Sequence, residues 1–336
     1  MNEEESGAAL VSIGTYFPAG YQSSSEIADA TGIPPEIIEG KFGLRGKHIA
    51  AADEHVSDMA VRAARPILES VSPEEIGALI YFGSAHKDYH LWSVAPKIQH
   101  ALGLGGAFTF ELMNTSAAGP LALKVAGDML RSDRDLRAVL LVGASRESFV
   151  IDYRNERARF AFTFADGAAA VLLRRGSAGH RVLASAISTD GSFADDVRVP
   201  AGGSVHPASP ETLERGMHSL DVVDPERMKA RLDPISLDRF VEVVQRAIER
   251  SGYRLDDLDF LAPLHTKRSL FEALLRALGL EEHHTFYLEE YGHMSAIDPF
   301  VALAEAERLG RLAPGDLVVT VSGGTGYSWA ATALRW

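Results

Sequence analysis

The words ALGL (101–104) and TFEL (109–112) recur, with the same spacing, as ALGL (277–280) and TFYL (285–288). A helix-like segment precedes each pair, and a turn, a second helix-like segment and an apolar strand-like run follow it. In the first half these two segments are AAGPLALKVAGDMLRS (117–132) and RAVLLVGAS (137–145), and in the second half DPFVALAEAERLGRL (298–312) and DLVVTVSGG (316–324). Continuous apolar runs separated by helical periodicity indicate buried, largely parallel sheets covered by helices. Because both the words and their spacing repeat, we predict two related α/β halves, 1–175 and 176–336.

The composition restricts the classes of function. The 336 residues carry a formal net charge of −13, which disfavours nucleic acid and anionic membranes as main partners. The N-terminal MNEEESGAALVSIG resembles no secretory signal, and no apolar run approaches the roughly 20 residues of a membrane span, so we expect a cytoplasmic protein. There is no cysteine. Disulfides, Cys-ligated zinc and thiolate catalysis are therefore excluded.

Reactive groups of such a fold belong at strand ends and at the first turns of helices. Ser116, in ELMNTSAAGPLAL (111–123), is predicted to lie where a strand gives way to a helix, in the positive end of the helix dipole. It is a candidate nucleophile, and the alternative is a simple N-cap.

Three further residues qualify by the same criterion. His265 ends the apolar run of LAPLHTKRS (261–269), although a lone histidine there is commonly structural. His293, in EEYGHMSAIDP (289–299), follows the second-half repeat as Ser116 follows the first. Asp298 could orient His293, or could equally be an N-cap before Pro299. The glycine-rich SGGTGYSWA (322–330) could offer backbone N–H groups to an oxyanion.

Together these segments resemble the β-ketoacyl-ACP synthase III family. The resemblance runs through five ordered segments: KFGLRGKHIA (41–50), FTFELMNTSAAGPLALKVAGDML (108–130), FADGAAAVLL (164–173), YGHMSAID (291–298) and GDLVVTVSGGTGYSWAATALRW (315–336). It implies the thiolase fold, with two duplicated α/β halves in five αβαβα layers, and a homodimer.

The family's catalytic residues are Cys, His and Asn, and the Cys and the Asn map onto residues of other types. By position, the Cys falls on Ser116 and the Asn on His293. The family His lies in a PHQAN-like segment that PLHTK (263–267) matches. Without a gap this His falls on Leu264, and we assign it to His265. A serine needs an adjacent base, and His293 with Asp298 would complete a Ser–His–Asp constellation. Alternatively, Ser116 replaces a native Cys.

The resemblance also implies ligands. Acyl-CoA and acyl carrier protein are the expected thioester substrates, with no tightly bound cofactor and no metal. The amides of Ser116 and Gly326 would form the oxyanion hole. Candidate phosphate contacts are Lys41, Arg45, Arg157, Arg159 and Lys267. The segment HKDYHLWSV (86–94) matches the region that crosses the dimer axis, so Leu91 and Trp92 could limit the acyl length.

The implied function is transfer of an acyl group from acyl-CoA, through position 116, to a malonyl thioester or to an alcohol or amine, in fatty acid or polyketide biosynthesis. Two alternatives remain open at this point: a catalytically silent ketosynthase-like partner subunit, and a thioesterase-like hydrolase. The sequence leaves the acyl group, the acceptor and the origin of Ser116 undecided.

Overall fold

The computed structural model describes residues 7–176 and 179–336. The strands are β1 (Ala8–Tyr16), β2 (Gly20–Ser23), β3 (Gly46–Ile49), β4 (Ile76–Tyr81), β5 (Phe108–Glu111), β6 (Ala138–Arg146), β7 (Asp166–Arg175), β8 (His180–Thr189), β9 (Val197–Arg198), β10 (Asp221–Val222), β11 (Phe260–Pro263), β12 (Leu317–Gly324) and β13 (Ser328–Arg335). The α-helices are α1 (Ser24–Thr31), α2 (Pro35–Ile37), α3 (Val56–Leu68), α4 (Val94–Ala101), α5 (Ala118–Ser132), α6 (Pro210–Glu214), α7 (Pro225–Arg250), α8 (Arg268–Leu278) and α9 (Asp298–Arg308). Among these residues no helix is both long and apolar enough to cross a bilayer.

Nine strands form one continuous sheet in the order β11-β12-β13-β8-β1-β7-β6-β4-β5. Strands β5, β4 and β6 are parallel to one another, as are β11 and β12. The residues 138–145 of β6 are all buried, which is the pattern of a strand covered on both faces. The first-half strands join the second-half strands through the pairs Ala9↔Arg181 and Leu10↔His180.

Helices cover this sheet in three layers. Helices α5 and α9 lie between the two halves of the sheet, where Leu123 and Phe300 share one buried core with Leu141 and Val318. Helices α3 and α4 pack on the outer face of the first half, and α7 and α8 on the outer face of the second. The arrangement is the five-layered αβαβα fold that the family resemblance implied.

The duplication is less regular in the second half. The TFYL segment (285–288) forms a single parallel bridge, Leu261↔Thr285, whereas β5, which contains most of the matching TFEL segment, pairs with β4 over four residues. Arg311 donates from Nη1 to the carbonyl of Thr285 at 2.9 Å, so a side chain satisfies a carbonyl of this segment.

Two short 3₁₀ turns precede the central helices, Thr115–Ala117 before α5 and Ser295–Ile297 before α9. Each contains a non-glycine residue in the left-handed region, with φ of +46° at Thr115 and +59° at Ser295. Such conformations are costly for these residue types and persist where the surroundings enforce them, often at functional sites. A Cβ on Gly119 would lie 2.3 Å from the carbonyl oxygen of Ala296, so the two turns approach closely only because this residue is glycine.

Candidate active site

Ser116 lies in the turn before α5, with 8% of its surface exposed. Its Oγ is 2.8 Å from His293 Nε2. Its carbonyl accepts a hydrogen bond from Ser322 Oγ at 2.5 Å. The preceding hydroxyl, Thr115 Oγ1, donates to the carbonyl of Thr325 at 3.1 Å, which ties the glycine-rich turn after β12 to the turn of Ser116.

His293 is held from both sides. Its Nδ1 is 2.6 Å from Asp298 Oδ2. Its backbone forms a parallel bridge with the segment before β7, in which the His293 N–H donates to the Thr163 carbonyl and the His293 carbonyl accepts from Ala165, both at 2.8 Å. The imidazole packs edge-on against Phe164, with ring centroids 5.1 Å apart. The ring orientation is therefore fixed by contacts at its edge, its face and its backbone.

Asp298 is completely buried and accepts three hydrogen bonds. Its Oδ1 accepts from the amide of Met294 at 2.7 Å, and its Oδ2 accepts from the amide of His265 at 2.8 Å as well as from His293 Nδ1. The N-cap interpretation of Asp298 is wrong, because Ile297 holds the cap position and Asp298 is the first residue of α9. Its carboxylate is turned toward the histidines.

The charge of the Asp298 carboxylate determines which nitrogen of His293 carries the proton. A carboxylate only accepts, so the proton of a neutral His293 sits on Nδ1 and leaves Nε2 free to accept from the Ser116 hydroxyl. Burial of His293 opposes its protonation, but the Asp298 carboxylate, and to a lesser extent Glu147, outweigh burial and raise the pKa of the imidazole above its usual value. The arrangement can therefore take a proton from Ser116 and stabilise the imidazolium that results.

His265 joins the site through its backbone. Its amide binds Asp298, whereas its ring Nε2 lies 3.1 Å from the carbonyl of Gly43, to which it can only donate. The ring stacks on Tyr287 at 5.3 Å, and burial lowers its pKa to about 4, so the imidazole is neutral. Leu264 packs into the outer core beneath α7 and α8. This geometry favours His265 over Leu264 for the family's His position, although its ring N–H is directed at Gly43.

Gly326, the predicted second oxyanion donor, lies between β12 and β13 with φ of +118°. Its neighbour Thr325 is the residue whose carbonyl binds Thr115. The glycine thus lies next to the turn of Ser116, and its role as a hydrogen-bond donor to an oxyanion stays a prediction.

The five predicted phosphate contacts differ in their surroundings. Three of them are paired with acidic side chains: Arg45 with Glu289 (3.6 Å) and Glu290 (3.9 Å), Arg157 with Asp221 (2.6 Å), and Arg159 with Glu156 (3.0 Å). The other two are exposed and, within the described residues, form no ion pair: Lys41 and Lys267. These two lysines lie two residues from Gly43 and His265, on either side of that contact.

Leu91 and Trp92 are at the surface of the single chain. Leu91 is fully exposed, with φ of +48°. Trp92 is half-buried, packs edge-on against Tyr89 at 5.3 Å, and lies under the ammonium of Lys97 at 5.7 Å. Neither position establishes contact with an acyl chain, so their role in chain length stays a prediction.

Two further ionisable residues near the site, the half-buried Glu147 and the fully buried Lys47, were not predicted from the sequence. Glu147 follows β6, accepts a hydrogen bond from Ser84 Oγ at 2.6 Å, and has a pKa raised by burial. Its place just after an apolar strand was a usable signal. Lys47 is completely buried in β3. Basic and small residues surround Lys47 in the sequence, and this pattern is typical of an exposed segment. The sequence therefore did not predict its burial.

Comparison with known proteins shows the family of this chain. The models of the 3-oxoacyl-[acyl-carrier-protein (ACP)] synthase III family match residues 110–191, and residues 248–336 for its C-terminal part. A 3-oxopimeloyl-[acyl-carrier-protein] synthase of Rhodothermus marinus is 32% identical over 98% of this chain and 94% of its own length. The chain belongs to the 3-oxoacyl-[acyl-carrier-protein] synthase III family.

Other members of the family support the same assignment. A β-ketoacyl-[acyl-carrier-protein] synthase III of Symbiobacterium thermophilum is 30% identical over 97% of both chains. The crystal structure of 3-oxoacyl-(acyl carrier protein) synthase III from Pseudomonas aeruginosa superposes with a TM-score of 0.84, at 26% identity and 98% coverage of both chains. Membership makes this protein an acyl-transferring condensing enzyme of the thiolase fold.

Proposed function

We propose that the protein accepts an acyl group from acyl-CoA onto Ser116 and transfers it to a malonyl thioester with loss of CO₂. The observation that carries the first step is the continuous hydrogen-bonded chain from Ser116 Oγ to His293 (2.8 Å) and from His293 to Asp298 (2.6 Å). The second step follows from family membership. Each step uses groups of the chain and of the two thioesters.

Acylation begins when Ser116 Oγ attacks the thioester carbonyl and His293 Nε2 takes the hydroxyl proton. Asp298 stabilises the imidazolium through its Nδ1–H. The amides of Ser116 and Gly326, together with the N-terminal end of α5, would stabilise the oxyanion. The C–S bond then breaks, the imidazolium returns its proton to the CoA thiolate, and an acyl ester remains on Ser116.

Condensation begins when the malonyl thioester loses CO₂, and the electron pair of the broken C–C bond becomes an enolate. The enolate carbon attacks the ester carbonyl, and the tetrahedral intermediate expels Ser116 Oγ. The serine alkoxide regains a proton from solvent through His293. The product is a 3-oxoacyl thioester, and the enzyme returns to its starting state.

A second candidate is transfer to a hydroxyl or amine. The contact that favours it is the one between His265 Nε2 and the Gly43 carbonyl, because that ring N–H is then unable to stabilise an enolate. Deprotonation of a hydroxyl acceptor needs only His293, which is already placed as a base. The donor half of the reaction is the same in both cases.

We further propose a homodimer formed along the β5 edge of the sheet and acting in the cytoplasm. Four large apolar side chains on or near this edge are exposed: Tyr89, Leu91, Phe108 and Met113. An unpaired strand edge flanked by exposed apolar side chains is a common site of chain association. The halves 1–175 and 176–336 are proposed as the two repeat units, and acyl carrier protein as the second carrier.

The experiment that separates these candidates starts from the isolated acyl-enzyme. A malonyl thioester labelled with ¹⁴C in its free carboxyl should discharge the acyl mass from the protein and release ¹⁴CO₂ in equal amount. Discharge by alcohols or amines without CO₂ release would replace condensation by ester or amide formation. Discharge at the same rate in buffer alone would identify a hydrolase, and a protein that never acquires an acyl group would be a silent partner subunit.

A further inference from the structure

Lys47 is a basic side chain with no exposed surface. Its Nζ donates to the backbone carbonyls of Phe162 at 2.7 Å and Phe164 at 2.6 Å. The same Nζ lies over the ring of Tyr153, 5.5 Å from the ring centroid. Burying an ammonium group is costly, and an apolar residue of similar shape is often tolerated as well or better. The retention of a lysine here therefore calls for a role that an apolar side chain would not fill.

The two carbonyls that Lys47 binds belong to the segment that pairs with the backbone of His293. Thr163, between them, accepts the amide of His293, and Ala165, just after them, donates to its carbonyl. The ring of Phe164 packs on the imidazole. The ammonium therefore does not touch His293 but binds residues 162–165, the segment with which the backbone of His293 is paired.

The segment that carries Lys47 also contacts His265. The carbonyl of Gly43 binds His265 Nε2 at 3.1 Å. The amides of Arg45 and Gly46 donate to the carbonyl of Glu289, which anchors the segment to the loop before His293. There is little freedom at this contact, because a Cβ on Gly292 would lie 3.2 Å from the Cβ of Lys47.

We propose that Lys47 is a positioning residue for the reaction: its buried ammonium holds the strip 162–165 and, through it, sets His293 at hydrogen-bonding distance from Ser116. This inference rests on the proposed acylation of Ser116. Lys47 contacts neither Ser116 nor His293 directly, and it acts through the backbone.

The charge on Lys47 adds a dependence on pH. Burial lowers the pKa of Lys47 to about 7, against the opposing influence of the Asp166 carboxylate. The other ionisable groups that face it are Tyr153 and His265, and its charge helps to lower the pKa of His265. Hydrogen bonds from a charged donor are roughly twice as strong as those from a neutral one. The hydrogen bonds from Lys47 to residues 162–165 should therefore weaken as the pH rises through neutrality and the ammonium loses its proton.

The test compares Lys47→Met, Lys47→Arg and a matched surface control, Lys229→Met, by the rate of acylation at saturating acyl-CoA and by the KM. Arginine keeps its charge throughout this pH range. We expect Lys47→Met to lower the acylation rate by about tenfold or more with the KM changed by less than about twofold, a loss confined to the transition state. Lys47→Arg should restore most of the rate and abolish the decline above neutral pH. Lys229→Met should match the parent protein.

Two results would overturn the inference: a Lys47→Met protein with the parental rate, or a Lys47→Arg protein whose alkaline decline matches that of the parent. Should Lys47→Met fail to fold, the alkaline profile of Lys47→Arg decides alone. If the parent protein is never acylated, the proposed function itself fails. If the parent is acylated and the variants are indistinguishable from it, only the inference about Lys47 fails.

Discussion

Replacement of Asp298 by asparagine distinguishes two roles of this carboxylate: orienting His293 for catalysis and stabilising the fold. The carboxylate accepts from His293 Nδ1, from the amide of His265 and from the amide of Met294. Asparagine offers one acceptor oxygen, and its NH₂ group would face at least one of these donors. If the NH₂ faces His293, the imidazole is driven into the tautomer with its proton on Nε2, and it can no longer accept from Ser116.

The expected effects on rate and stability differ in size. Loss of the correct tautomer should lower acylation by about 10³–10⁴-fold, equivalent to ~4–5.5 kcal/mol of transition-state stabilisation. The unmatched buried donor should lower the free energy of unfolding by about 1–3 kcal/mol, more than the loss of a helix cap alone. The protein should therefore remain folded, because typical domains have about 5–15 kcal/mol to lose.

The assay measures single-turnover acylation by rapid quench and stability by denaturant unfolding. The matched control is Asp224→Asn, at the N-cap of α7, where the carboxylate accepts from the amide of Arg227. It should leave acylation unchanged and alter stability by less than about 1 kcal/mol. An Asp298→Asn protein that acylates within tenfold of the parent, or whose loss of rate merely follows its unfolded fraction, would refute the triad.

Three further predictions concern the pH dependence, the carrier site and the dimer. Acylation requires neutral His293, and because the pKa of His293 is raised, the acylation rate should fall on the acid side with an apparent pKa above the ordinary histidine value. The pH dependence of the acylation rate measures this apparent pKa, and a value below that of an ordinary histidine would contradict the prediction. The double variant Lys41→Ala/Lys267→Ala should raise the KM for acyl-CoA several-fold with little change in kcat, whereas Lys229→Ala should not; equal kinetics would remove both lysines from the carrier site. Phe108→Glu should shift the protein from dimer to monomer in analytical ultracentrifugation, because it places a charge on the proposed edge, and an unchanged dimer would exclude that edge as the interface.

The repeat predicted two related α/β halves and drew attention to Ser116 and His293, whereas the thiolase fold and the Ser–His–Asp constellation were predicted from the family resemblance. ALGL and TFEL with their second copies mark the same positions in both halves, and the offset of His293 from Ser116 placed the two residues at facing turns. Those turns do meet, through Gly119 and Ala296. The identity of Asp298 as an orienter was one of two alternatives, and only the rotation of its carboxylate toward His293 decides between them.

Other features depend on tertiary contacts that local sequence does not encode. The direction of the His265 ring is set by the carbonyl of Gly43, which is 222 positions away in the chain. The pairing of Arg157 with Asp221 joins residues 64 positions apart. Lys47 binds the carbonyl of Phe162, which is 115 positions away. Periodicity and motif spacing report on neighbours within a turn or a strand, so none of these contacts leaves a signal in them.

The most direct test of the account is intact-protein mass spectrometry after incubation with a panel of acyl-CoAs. The central claim predicts that one acyl group adds to each chain for the correct donor, that peptide mapping places it on Ser116, and that Ser116→Ala abolishes the adduct while the protein remains folded. An oxygen ester is less reactive than a thioester, so the adduct should persist long enough to be weighed. An adduct that survives in Ser116→Ala, or a folded parent protein that no acyl-CoA modifies, would contradict the assignment of Ser116 as the nucleophile.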